Sequence, residues 1–189
     1  MKPRLELVPV EEARRLGGEM GIGEAQASRS AFRTLAHHPE LARHVFGLLS
    51  QLASRNKLPS RLRELMIMRI GWTTASEYEW FQHYRIATKE TGITDAEIVA
   101  LREWKSSNLF SAADRAVLAA VDDTRERGEI SEEVWARCQQ LFKEPAVLVE
   151  MVVMIGNWML FSQLLKTLRI PIEDGAKPWP PDGKAPAAG

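Results

Sequence analysis

Cysteine is nearly absent from this chain. Its 189 residues include a single cysteine, Cys138. One thiol excludes a disulfide within the chain, and it excludes the pair of cysteines that thiol oxidoreductases use. We therefore expect Cys138 to be a small core residue of an amphipathic helix and not a reactive group.

Long apolar runs and a net charge are lacking as well. No run approaches the roughly 18 apolar residues of a membrane span, and the N-terminus lacks the apolar segment of a signal peptide. Lys plus Arg number 25 and Asp plus Glu number 25, so the formal net charge is zero. Nucleic-acid binding needs a basic face, which this balance disfavours. These absences predict a cytoplasmic protein without a membrane or nucleic-acid partner.

Helical periodicity is what the sequence does contain. Apolar residues recur at helical spacing, and no useful stretch alternates as a strand does. The first predicted helix is short, beginning at Val10 and stopping by Gly17 and Gly18. Longer helices are predicted over 39–55, 60–72, 75–91, 115–127 and 146–168, with Ser111 capping the fourth of these. Two further helices are predicted to begin at the caps Thr94 and Ser131. Residues 17–28 are predicted to be loop. The sequence thus predicts an all-α fold, with one domain over residues 1–189.

The C-terminal segment 171–189 is rich in proline, glycine and alanine, with Trp179 between prolines. A tryptophan in such a segment is expected to pack on the body of the protein or on a second subunit. The alternative is a loose tail with an incidental tryptophan.

Polar residues are concentrated in the stretch SEYEWFQHYRIA, residues 76–87. On a helix over 75–91, Ser76, Glu79 and His83 share one face. Glu79 and His83 stand at i and i+4, where a carboxylate can orient an imidazole and raise its basicity. The alternative is an ordinary ion pair on a wet helix face.

Glu64 lies in the apolar helix RLRELMIMRIGW. A buried glutamate needs a partner, which Arg61, Arg69 or His83 can provide. Two carboxylates and one imidazole are a weak metal signal, because helical metal sites carry more ligands, and we predict no metal and no cofactor.

The segments RELMIMRIGW, SEYEWFQH and IATKETGITDAEIVAL together resemble the carboxymuconolactone decarboxylase family, whose superfamily includes alkyl hydroperoxidase D. The resemblance covers about residues 40–125, and the whole layout is similar to a longer subgroup. It implies the alkyl hydroperoxidase D-like helical bundle, assembled as a dimer, trimer or hexamer.

In the peroxidase branch, a glutamate is followed by Cys-x-x-Cys and then a histidine. By this resemblance Glu64 and His83 match the glutamate and histidine, whereas the cysteines fall on Ser76 and Glu79. Tyr78 stands where that branch has a second histidine. A serine cannot form a sulfenic acid or a disulfide, so thiol peroxidase chemistry is disfavoured.

The resemblance instead implies a cofactor-free acid–base lyase acting on a small lactone or aromatic-derived organic acid, by decarboxylation, related carbon–carbon cleavage or isomerisation. The proton-transfer set is Glu64, Tyr78, Glu79 and His83, with Ser76 and Tyr78 bonding the substrate. The rivals are a peroxidase or antioxidant protein and a non-enzymatic binding module with a relic site.

The substrate pocket is predicted to be walled by tryptophans. Trp72 and Trp80 flank the polar face of the helix, and Trp158 lies on the long apolar helix near the C-terminus. Asn157, in the same apolar helix, needs hydrogen-bond partners and either faces the substrate or bonds a neighbouring helix.

Overall fold

The computed structural model describes residues 2–187. Over these residues the chain forms ten α-helices, one 3-10 helix and no β-strand, which confirms the all-α prediction. The α-helices are α1 (Val10–Glu19), α2 (Glu24–Ala27), α3 (Ser30–Leu35), α4 (Pro39–Ser54), α5 (Ser60–Thr73), α6 (Glu77–Glu90), α7 (Asp95–Ala100), α8 (Ala112–Arg127), α9 (Glu132–Leu141) and α10 (Pro145–Leu168). The 3-10 helix is Leu101–Ser106.

Capping residues place several helix ends. Thr94 caps α7 and Ser111 caps α8, each in a capping box in which the side chains and backbone N–H groups of two residues bond reciprocally. Helix α8 starts directly after its cap, at Ala112, and not at Arg115 as predicted. It ends at Gly128, whose φ of 81° is left-handed and suits glycine.

Helix α1 continues through Gly17 and Gly18, so the predicted end there is wrong. Helix α2 also occupies part of the segment that was predicted to be loop. A Cβ atom at Gly17 would lie 2.6 Å from the Cβ of Ala27. The glycine is therefore needed for close packing, and this contact outweighs a helix penalty of about 1 kcal/mol.

Backbone packing divides the chain into two compact units, and the single domain expected from the sequence stays a prediction. The units comprise residues 1–56 with 164–176, and residues 57–163 with 177–189. In the first unit, the rings of Phe32 and Phe46 pack edge to face with their centroids 4.9 Å apart. The second unit contains every residue predicted for the site.

Helix α5 is the central helix of the second unit. It contacts α6, α8 and the 3-10 helix, and it is buried on most sides, as its apolar residues on most sides of the helix predict. Two of its arginines bond carboxylates of α8: Arg69 Nε lies 2.7 Å from Asp122 Oδ1, and Arg61 Nη2 lies 3.1 Å from Asp114 Oδ2. These ion pairs tie α5 to α8.

The C-terminal segment packs on the second unit. Trp179 is 8% exposed, and its ring centroid lies 6.0 Å from those of both Trp72 and Trp80. Arg102 Nη1 and Nη2 bond the two carboxylate oxygens of Asp182 at 2.9 and 2.7 Å. The prediction that Trp179 packs on the body of the protein is confirmed, and the loose-tail alternative is wrong.

Within the described part of the chain, α10 is the one helix long and apolar enough to cross a membrane. The sequence reading expected no such segment; the helix qualifies because most of its polar residues are uncharged, which keeps the mean hydropathy at 1.6. This is weak evidence, because core helices of soluble proteins pass the same test. Its Glu150 carboxylate accepts backbone N–H bonds from Lys57 and Leu58 at 2.8 and 2.9 Å.

Candidate active site

The site is built around the start of α6. After α5, Ala75 takes a left-handed φ of 52° that turns the chain. The N–H of Ser76 then bonds the carbonyl of Gly71 at 2.8 Å. A Cβ atom at Gly71 would lie 3.2 Å from the backbone nitrogen of Trp80, so glycine lets α6 begin close against α5. The sequence prediction placed Ser76 inside the helix, but the turn at Ala75 makes it the N-cap.

The centre of the site is a buried glutamate–histidine pair. His83 Nδ1 lies 2.8 Å from Glu64 Oε2, and Arg63 Nε donates to Glu64 Oε1 at 2.9 Å. The Glu64 side chain is 1% exposed and the His83 side chain is 15% exposed. Of the three partners that the sequence offered for Glu64, His83 is confirmed. Arg61 and Arg69 bond carboxylates of α8 instead.

Trp158 of α10 bonds the other ring nitrogen of His83. Its Nε1–H donates to His83 Nε2 at 3.2 Å, and the two rings pack edge to face with centroids 5.6 Å apart. A ring that accepts at Nε2 carries its proton on Nδ1, where it donates to Glu64. The geometry therefore suits a neutral histidine whose basic nitrogen, Nε2, is covered by one N–H group.

Glu79 stands on the same side of the ring as Trp158. Its Oε2 lies 3.7 Å from His83 Nε2, which is an ion-pair distance and longer than a hydrogen bond. Burial raises the pKa of Glu79 to about 7, with Glu64 also raising it, while His83 and a bond from the Trp158 N–H oppose the rise. The i,i+4 pair predicted from the sequence is thus present, but the direct carboxylate–imidazole bond comes from Glu64.

The protons of the three groups are coupled. Burial alone lowers the pKa of His83, but Glu64 and Glu79 outweigh it, so this pKa is raised. Burial alone raises the pKa of Glu64, but His83 and Arg63 outweigh it, so this pKa is lowered. Near pH 7, Glu64 is therefore ionised and Glu79 can gain or lose a proton beside His83, which is the kind of group that acid–base catalysis uses.

Two predicted site residues carry buried polar atoms without a partner. Ser76 Oγ and Asn157 Nδ2 are buried and form no hydrogen bond in the described part of the chain. The Asn157 amide nitrogen thus bonds no neighbouring helix in the described residues, and whether Asn157 faces a substrate stays a prediction. A buried polar atom without a partner is uncommon in native proteins, and strain, a catalytic role or a bound water or ion can account for it.

Of the three predicted wall tryptophans, Trp158 lies at the site, whereas Trp72 and Trp80 pack against the C-terminal segment. Trp80 is fully buried, and its Nε1–H donates to the carbonyl of Pro180 at 2.6 Å. Trp72 packs on Trp80 with ring centroids 5.3 Å apart. Both residues hold the C-terminal segment, and their contacts are those of a packed core. Tyr78 is buried in the first turn of α6, and its role in substrate binding stays a prediction.

Sequence reasoning missed Arg63 and the donor role of Trp158. Arg63 directly precedes Glu64 in the chain. Adjacent residues of a helix do not usually face each other, so their spacing gave no sign of the bond between them. Trp158 lies 75 positions from His83 along the chain, and no local pattern connects them. No group of three or more His, Cys, Asp or Glu residues within 2–187 is arranged to hold a metal ion.

Part of the sequence and the fold as a whole match known proteins. Residues 39–123 match the carboxymuconolactone decarboxylase family. Among solved structures, a peroxidase-related protein with an alkylhydroperoxidase AhpD core from Ralstonia eutropha is 16% identical, covers 92% of each chain and has a TM-score of 0.70. The debrominase Bmp8 is 18% identical over 87% of this chain and 86% of its own, with a TM-score of 0.69.

A protein of unknown function from Agrobacterium tumefaciens, described as a putative antioxidant defence protein AhpD, is 20% identical over 74% of this chain and 97% of its own, with a TM-score of 0.66. Comparison with functionally curated proteins finds no match. The structural matches show the fold, and the match over residues 39–123 covers Glu64, Glu79 and His83. Through that segment the chain is similar to the carboxymuconolactone decarboxylase family, and it has an alkyl hydroperoxidase D-like helical fold.

Proposed function

We propose that the protein is a cofactor-free acid–base enzyme that decarboxylates, cleaves or isomerises a small lactone or aromatic-derived organic acid. One observation carries this proposal: the ring of His83 lies between an ionised, buried Glu64 and a buried Glu79 whose pKa is about 7. Titratable groups shifted by burial and by a specific charge partner are typical of active sites.

The proposed chemistry moves one proton at a time. His83 Nε2 takes a proton from an acidic carbon of the substrate, and the electron pair of the C–H bond stays on the substrate as an enolate. Glu64 stabilises the imidazolium that forms, because it bonds Nδ1. In decarboxylation, the electron pair left by departing carbon dioxide is protonated on carbon by the imidazolium of His83 or by neutral Glu79.

A thiol mechanism, of the kind that peroxidase-related neighbours suggest, lacks support from this chain. Its single cysteine, Cys138, is buried in α9, and burial raises the pKa of its thiol to about 11. A thiol with a raised pKa is a poor nucleophile at neutral pH. The positions that match the family's cysteine pair are Ser76 and Glu79.

The test compares wild type with His83→Asn, because asparagine can still bond Glu64 but cannot carry a proton. Both proteins are screened by thermal shift and by product analysis against lactones, aromatic acids and hydroperoxides. We expect a lactone or acid to stabilise both proteins and to be converted by wild type alone. A ligand at 100 times its dissociation constant adds about 2.7 kcal/mol to stability, which a thermal shift detects. Turnover of a hydroperoxide with an external thiol would favour the peroxidase alternative, and no ligand and no turnover would favour a binding module.

We also propose that the protein is a homo-oligomer that acts in the cytoplasm on small molecules. Support comes from α10, where an apolar stripe is solvent-exposed: Val149 (63%), Val152 (46%), Val153 (41%) and Leu160 (52%). Gly156 lies within this stripe, and nothing lies within 4 Å of a Cβ placed there. A mid-helix glycine costs about 1 kcal/mol, and close approach of a partner helix explains it.

Light scattering after size exclusion tests the assembly. We expect wild type to have a multiple of the 21.3 kDa chain mass, and Val149→Glu to reduce it to one chain. The control Val99→Glu changes an equally apolar, exposed residue of α7 and should leave the mass unchanged. A wild type of single-chain mass would contradict the proposal.

A further inference from the structure

Three helices, α6, α7 and α8, have an N-cap serine or threonine followed three residues later by Glu or Asp, and two of them form a capping box. At α7, Thr94 Oγ1 accepts from the Glu97 N–H at 3.2 Å, and the Thr94 N–H donates to Glu97 Oε2 at 2.8 Å. At α8, Ser111 Oγ accepts from the Asp114 N–H at 3.2 Å, and the Ser111 N–H donates to Asp114 Oδ2 at 3.0 Å. These two helix starts show the arrangement that the sequence pattern normally produces.

The third segment, Ser76 to Glu79 at the start of α6, forms neither bond. Ser76 is the N-cap, but its side chain accepts no bond from the first turn. Its N–H bonds Gly71 instead, and Glu79 faces His83. Ser76 Oγ is buried, the residue is 1% exposed, and the hydroxyl has no partner. Ser76 thus stands at the N-cap position, but its hydroxyl does not bond the helix.

The surroundings of this hydroxyl favour a negatively charged oxygen. The first turn of a helix presents backbone N–H groups that the helix itself does not use, and its end carries a partial positive charge. Helix α6 has 14 residues, which is long enough for its N-terminus to carry this partial positive charge. Nearby, Arg63 and Glu64 balance each other's charge, and His83 is 15% exposed and connects the site to solvent.

We propose that Ser76 Oγ and the first turn of α6 bind an oxyanion of the ligand, a carboxylate or enolate oxygen, beside Glu79 and His83. The inference rests on the proposed function for its place in catalysis, where it would hold the charge that develops when His83 removes a proton. Binding itself needs no turnover, so it can be tested alone.

The charged groups around the site set the expected pH dependence. Arg63 and Glu64 reach it from α5, Glu79 and His83 lie on α6, and α10 contributes the uncharged Trp158 N–H. Burial raises the pKa of Glu79 to about 7. Below this pH the carboxyl is neutral and tolerates an anion, and above it the two negative charges repel, so binding weakens as the pH rises through 7.

Backbone amide NMR with benzoate as the probe tests the site, and neutral benzamide is the matched control ligand. We expect benzoate to give saturable shifts at residues 76–79 and benzamide to give none there. Ser76→Ala should weaken benzoate binding about tenfold, as expected for one hydrogen bond to a charged group. Ser111→Ala, which removes a cap that is formed, should lower the melting temperature and leave benzoate binding unchanged.

A second variant, Ser76→Gly, also removes the hydroxyl, but glycine is a residue that helices accept at the N-cap. It therefore replaces Ser76→Ala if that protein does not fold. Equal benzoate affinity in wild type and the Ser76 variants would overturn the inference, and so would the absence of saturable shifts in the first turn of α6. Either result leaves the proton-transfer role of His83 untouched, because that role is tested by turnover.

Discussion

Replacing Trp158 by phenylalanine removes the one N–H group that covers the basic nitrogen of His83. The tryptophan is 3% exposed, and its Nε1 lies 3.2 Å from His83 Nε2. The lost hydrogen bond contributes about 1 kcal/mol, and the smaller ring leaves a void that adds about 1–2 kcal/mol. We expect a loss of roughly 2–3 kcal/mol in the free energy of unfolding, or roughly 5–10 °C in melting temperature for a chain of this size.

The more specific effect is on protonation. The Trp158 N–H stabilises neutral His83, so its removal raises the pKa of His83 further above its ordinary value. A raised histidine pKa stabilises the fold below the unfolded-state pKa, and this contribution is lost as the pH rises through the folded-state pKa. In Trp158→Phe that loss moves to higher pH. The assay is a titration of the ring nitrogens of His83 by nitrogen-15 NMR.

Trp104→Phe is the matched control. Trp104 is 5% exposed, and its Nε1–H donates to Asp122 at 3.0 Å, so its replacement removes an equivalent bond and ring. We expect comparable destabilisation without a change in the titration of His83. The reasoning is refuted if wild type and Trp158→Phe give the same His83 titration, because the indole N–H would then not control the proton on this ring.

Three further predictions concern stability, each checked by denaturant unfolding. Burial raises the pKa of Glu79 from 4.5 to about 7, so this group makes the fold less stable as the pH rises across that window, by up to about 3 kcal/mol. Glu79→Gln should remove this slope, and an unchanged pH dependence would contradict it. Glu64→Gln should cost about 3 kcal/mol and lower the pKa of His83, because it breaks a buried pair; an unaltered His83 pKa would argue against the pair. Trp179→Ala should cost about 3–5 kcal/mol, since its ring is buried against Trp72 and Trp80, and a loss below 1 kcal/mol would show that the C-terminal segment is dispensable.

The helix starts that the sequence predicted well are set by bonds between residues that lie close together in the chain. The caps at Thr94 and Ser111 form because both partners of each bond lie within one turn. The same local signal at Ser76 is present but not used, because the Glu79 carboxylate faces His83 instead of the Ser76 N–H. Gly17 shows the converse, since a distant packing contact overrides a local helix penalty.

The site was predicted in part for the same reason. Glu64, Glu79 and His83 lie on two helices joined by a short turn, so their meeting could be anticipated from spacing and family resemblance. The bond from Trp158 and the packing of Trp80 under Pro180 join residues far apart in the chain. Such contacts follow from tertiary packing, which no periodicity or capping pattern encodes.

The measurement that tests the central claim most directly is solvent deuterium incorporation into a panel of lactones and carboxylic acids with acidic C–H bonds, read by mass spectrometry. It detects proton transfer at carbon even when no net product forms. The account predicts exchange into at least one compound with wild type and its loss in His83→Asn, with both proteins folded. Equal exchange with both proteins would remove His83 from the chemistry, and no exchange with wild type across the panel would contradict an acid–base enzyme at this site.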